Sequence, residues 1–79
     1  MQMTRKECIK EIETILESDA GTLDGGLRLE EIGNWDSLAV LSFITFADEK
    51  LGITLKPTEI KTANTINELI NLLGEQVTD

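Results

Sequence analysis

The chain contains no histidine and no tyrosine, and it has a single cysteine, Cys8, and a single proline, Pro57, in 79 residues. Those absences exclude most self-contained chemistries. Without His, no Ser/His/Asp triad and no Cys/His nucleophile pair can be assembled, and a zinc site of ordinary ligand spacing has too few ligands. A calcium loop starting at Asp19 also fails. Its third and fifth positions are Gly21 and Leu23, and Asp24 stands at the sixth, where glycine is needed. No catalytic residue and no metal site are therefore expected. One Cys cannot close a disulfide within the chain, and residues 1–10 are polar and charged, unlike a signal peptide. Both point to a reducing, cytoplasmic setting. No apolar run approaches the length that spans a bilayer, so no membrane insertion is expected. A chain this short buries only about 60% of its unfolded surface, which allows one small core and a single domain over 1–79.

Basic residues are also scarce: 7 Lys and Arg against 15 Asp and Glu, a formal charge of −8. Nucleic acid is excluded, because phosphate backbones need a basic footprint. The imbalance is uneven. Residues 11–49 hold ten acids and one base, Arg28, whereas residues 1–10 carry a net +2. Most of these acids serve solubility, but an acidic surface beside a functional group would steer basic partners toward it.

What is present reads as helix. Thr4-Arg5-Lys6-Glu7 has the spacing of a capping box, and Cys8, Ile9, Ile12, Ile15 and Leu16 follow as one apolar stripe. Lys6, Lys10, Glu11, Glu13 and Glu17 fall on the other side. A second capping box, Thr65-Ile66-Asn67-Glu68, opens a stripe of Ile66, Leu69, Ile70, Leu73 and Val77. Between them, Asp36 precedes an apolar-rich segment that stops at Gly52, and Pro57 stands where a first helical turn tolerates it. Helices are expected over roughly 4–18, 36–51, 57–61 and 65–75. Ile53 and Leu55 plug the core from a loop. The segment from Asp19 to Trp35 is long, but Leu23, Leu27, Leu29 and Ile32 give it anchors. The expected fold is all-α: a small bundle of three to four helices with a long packed loop between the first two.

Asp36-Ser37-Leu38, preceded by Trp35, is the most informative stretch. With Asp36 as N-cap, Ser37 falls in the first turn, where unpaired amides and the helix dipole favour an attached phosphate. On the wheel of this helix, Val40, Phe43, Ile44, Ala47 and Leu51 form the core stripe. Leu38 and Leu41 lie opposite, among Ser42, Thr45, Asp48 and Glu49. Two leucines on a polar face beside a modifiable serine suggest a docking spot.

Trp35-Asp36-Ser37-Leu38 resembles the attachment motif of the acyl carrier protein and peptidyl carrier protein family, and the helix order and loop resemble that family over nearly the whole chain. The resemblance implies that Ser37 is esterified with 4'-phosphopantetheine from coenzyme A by a magnesium-dependent phosphopantetheinyl transferase. The terminal thiol would then carry acyl or aminoacyl groups as thioesters. It also implies Asp36 and Leu38 as the residues framing the attachment, and a recognition helix with Trp35, Leu38, Leu41, Ser42, Thr45, Asp48 and Glu49 as the docking set. Implied partners are the transferase, an acyl-loading ligase or acyltransferase, and synthase or transferase enzymes with basic patches, met by a monomer. Ala39, Ser42 and Thr45 stand where general fatty-acid carriers commonly have acids or Met. The chain thus looks like a specialised carrier, serving a polyketide, peptide or modified-lipid pathway. Its short, capped ends suggest a discrete protein.

Two readings of the interior stay open. An acyl chain could enter between the central and final helices near Phe43, Ile44, Ala47 and Leu69, or these side chains could form only a dry core. Cys8, on the core stripe, reads as a buried small hydrophobe, and Trp35 as an anchor for the loop end. The rival function is an unmodified helical interaction module binding through Leu38 and Leu41.

Overall fold

The computed structural model describes residues 2–19, 21–33 and 35–78. Its elements are β1 (Met3–Thr4), α1 (Arg5–Ile15), α2 (Ser37–Leu51), α3 (Pro57–Ile60), α4 (Ile66–Asn71) and β2 (Val77–Thr78), with short 3-10 turns at Leu29–Glu31 and Gly74–Gln76. The fold is a small, mostly helical bundle.

Local chemistry explains each start and stop. The Thr4 hydroxyl accepts from the Glu7 amide at 3.1 Å while Glu7 accepts from the Thr4 amide at 2.9 Å. That reciprocal bond holds the Glu7 carboxyl below its ordinary pKa, the Thr4 backbone amide being the largest cause. Thr65 and Glu68 close the same box on α4. Gly52 ends α2 with φ 67°, a left-handed turn that suits glycine. α1 ends by the same geometry without a glycine. Ser18 N–H donates to the Glu13 carbonyl and Glu17 N–H to that of Thr14, with Glu17 at φ 55°.

The long loop is stitched to α4 through its backbone. The carbonyls of Leu27 and Gly25 accept the N–H groups of Ile66 and Asn67 at 3.1 and 2.8 Å. Two first-turn amides that a helix cannot satisfy internally are thereby paired. Leu29 N–H donates to the Asn64 carbonyl at 2.9 Å, and Arg28 forms an isolated antiparallel bridge with Thr65. Gly25 approaches Asn67 so closely that a Cβ there would fall within 2.3 Å of the Asn67 side chain. Arg5 donates to the side-chain oxygens of both Asn67 and Asn71, tying α1 to the same helix.

The structure corrects several expectations. α4 ends at Asn71, well short of 75, because the chain turns through Gly74 at φ 59°. Val77 is therefore not on a helical stripe but in β2, paired parallel with Met3 in β1. α1 is also shorter than 4–18. Glu13 is not on an outer face: it is buried, with its carboxylate accepting from the amides of Gly21 and Leu23 at 2.9 and 3.2 Å. On α2 the buried set is Ala39, Phe43, Phe46, Ala47 and Leu51, whereas Val40 and Ile44 are half-buried at its edge. The core joins these to Cys8, Ile12 and Leu16 of α1 and to Ile66, Leu69 and Ile70 of α4.

Candidate functional site

The site is built where the loop delivers the chain to α2. Asp36 is extended (φ −122°, ψ −171°), and its carboxylate accepts from the Ala39 amide at 3.1 Å. That cap places Ser37 as the first helical residue, exposed to solvent. A side-chain oxygen at this position meets the positive end of a 15-residue helix. Trp35 fixes the approach. Its amide donates to the Ile32 carbonyl at 3.1 Å, and its half-buried ring meets Phe43 edge-on, with centroids 6.5 Å apart and planes at 66°. Phe43 in turn packs on Phe46 at 5.7 Å. The loop that ends at Ser37 is thus anchored through Trp35 to Phe43 and Phe46 of α2.

Among the described residues, the outer face of α2 carries the large apolar side chains most exposed to water. Leu38 is 72% and Leu41 57% exposed. Thr45, Asp48 and Glu49 are exposed on the same helix, and Ser42 is half-buried. Glu49 lies twelve residues beyond Ser37, about 18 Å along the axis at the helical rise. The carboxylates therefore border the far end of this face, not the serine.

Two clefts lie at the start of α2, and Ser37 lines the larger of them. One, of about 530 Å³, runs from Trp35, Asp36 and Ser37 past Val40 and Leu41 to Pro57 and Lys61 of the α3 segment. The other, of about 210 Å³, lies toward α1 and is lined by Ile15, Leu16, Glu17, Asp36, Leu38 and Ala39. Phe43, Ala47 and Leu69 line neither, being fully buried in the core, and Ile44 is half-buried beside them. That Lys61 lines the same cleft as Ser37 is a placement that no local signal in the sequence carries, since the two are 24 residues apart and share the cleft only because α3 folds back on α2.

The remaining chemistry-bearing groups are structural. Cys8 is fully buried, and that burial pushes its thiol pKa up, away from reactive thiolate. Arg28 pairs with Glu30 on the surface, a hydrogen bond that raises the guanidinium pKa further. Among the described residues no cluster of His, Cys, Asp and Glu could hold a metal, and no helix is long and apolar enough to cross a membrane.

The sequence model of the family described as "phosphopantetheine attachment site" matches residues 7–73. The chain belongs to that family. The match runs from α1 through α4 and takes in the loop, Ser37 and α2. No curated protein and no solved structure matches the chain. A domain of the phosphopantetheine-attachment family is a carrier domain: it bears 4'-phosphopantetheine, is the substrate of a phosphopantetheinyl transferase, and is not a catalytic domain. The residues present suit that group. An exposed hydroxyl at the start of a long helix, lining an open cleft, offers an accessible acceptor for a phosphate ester and room for an arm.

Proposed function

We propose that this carrier bears its arm on Ser37 and presents acyl or aminoacyl thioesters to the enzymes of a specialised fatty-acid, modified-lipid, polyketide or peptide pathway. The observation that carries the assignment is the exposed Ser37 hydroxyl at the N-terminus of α2, framed by the Asp36 cap and Leu38. In loading, Ser37 Oγ forms the new phosphate ester and gives up its proton, while the nucleotide part of coenzyme A leaves. The thiol at the end of the arm holds the cargo as a thioester.

The chain's own residues do the rest. Asp36 holds the first turn in place, and Trp35 pins the loop that leads to it. Leu38 and Leu41, with Ser42 and Thr45, form a docking surface for partner enzymes, and Asp48 and Glu49 steer basic patches toward it. Weak docking suffices, because a tethered cargo meets its enzyme as a local, high-concentration encounter. The packing of Phe43, Ala47 and Leu69 favours a dry core over an acyl pocket between α2 and α4.

The test is intact mass before and after incubation with coenzyme A, magnesium and a broad-specificity phosphopantetheinyl transferase. One phosphopantetheine should be gained by the native chain and none by Ser37→Ala. An equal gain by Ser37→Ala would remove the assignment, and no gain by either would favour an unmodified interaction module.

A further inference from the structure

The two clefts beside Ser37 differ in charge. The smaller one, toward α1, holds the acids Glu17 and Asp36 and no base. The larger one holds Lys61, the residue that closes α3, together with Trp35, Val40, Leu41 and Pro57. The chain has 7 bases against 15 acids, and Lys61 is the one base among the residues lining these two clefts. Among the described residues no carboxylate forms an ion pair with Lys61. Asp36 lines the same cleft, but its carboxylate is turned to the Ala39 amide.

A phosphodiester attached at Ser37 brings one fixed negative charge to the edge of the larger cleft, with the smaller one next along α2. Toward α1 it meets carboxylates alone. Toward α3 it faces the ammonium of Lys61 and the positive end of α2, alongside the apolar Trp35, Val40 and Leu41. We propose that Lys61 pairs with the phosphodiester formed at Ser37, so that the arm leaves α2 across the α2–α3 cleft and along Trp35. This rests on Ser37 being the attachment residue. Lys61 is then a positioning residue, and a partner enzyme with a basic patch draws the arm out by competing with it for the phosphate. Leu38, on the other flank, stays uncovered for docking.

The experiment uses fully loaded protein, with complete conversion established first by intact mass. Trp35 is the single tryptophan, so its emission and its indole N–H resonance report on the cleft directly. Loading should shift both, together with the Lys61 side-chain resonances, and 0.5 M salt should reduce the shift by screening. Lys61→Arg should retain the shift, and Lys61→Glu should lose at least half of it while loading to the same extent. Lys61 is exposed, so both variants should fold, which their melting curves check. Loaded protein whose Trp35 and Lys61 signals match the unloaded form would overturn the proposal. So would a shift undiminished in Lys61→Glu. Failure to load would show in the mass alone and would remove the Ser37 assignment along with this one.

Discussion

The two ends of the long loop are held in opposite ways. Its first half, from Gly21 to Leu29, is fastened at five backbone positions: two amides to the buried Glu13 carboxylate, two carbonyls to the first turn of α4, and one amide to Asn64. Its last residues reach Ser37 through one backbone bond at Trp35, one ring contact on Phe43 and the Asp36 cap. The segment with least regular structure is thus a strut, and the site is free to meet partners because the strut is fixed elsewhere. A carrier needs both properties at once: a serine in constant position and a surface left open around it.

That contrast can be broken from either side. Glu13→Ala should have the largest effect, because it leaves two loop amides without the buried carboxylate that accepts from them. The expected loss is about 2–3 kcal/mol, read by urea denaturation, with Glu13→Gln losing less. Gly25→Ala should come next. Its new methyl group displaces the Asn67 side chain from Arg5, at a cost of about 1 kcal/mol, and the same change in an Asn67→Ala background should cost markedly less. Glu17→Gly should act in the other direction. It relieves a left-handed residue at the end of α1 and should raise stability by about 0.5–1 kcal/mol in thermal unfolding. Leu38→Ala and Leu41→Ala should change stability least, within about 0.5 kcal/mol, since both side chains are exposed. A large loss in either leucine variant, or none in Glu13→Ala, would reverse the comparison.

A pH titration probes the helix ends. The folded pKa of Glu7 is depressed, so its contribution to α1 is complete above the ordinary carboxylate range and is lost as pH falls through the lower folded value. Glu7→Gln should flatten that part of the stability profile.

Features set by near neighbours along the chain are legible in the sequence itself. Both capping boxes, the Asp36 cap, the stop at Gly52 and the start at Pro57 each depend on residues within three or four positions. Features set by contacts between distant segments are not. Glu13 has the polarity of an outer residue, and only the loop folding over it turns its carboxylate inward. The buried face of α2 departs from the helical wheel at Val40 and Ile44 because Leu38, Ala39, Val40 and Leu41 are all apolar, so the wheel has no sharp edge there. Val77 satisfies a helical period, yet the turn at Gly74 carries it to Met3. At the site, the exposure of Leu38 and Leu41 follows from the wheel, whereas the presence of Lys61 in the cleft that Ser37 lines follows only from the packing of α3.

Fragmentation mass spectrometry of the loaded chain would locate the added group among its three serines, Ser18, Ser37 and Ser42, and so bears on the attachment assignment with the fewest intervening steps. Phosphopantetheine is expected on Ser37 alone, with Ser18 and the half-buried Ser42 unmodified. Modification of Ser42 or Ser18, with Ser37 bare, would contradict it.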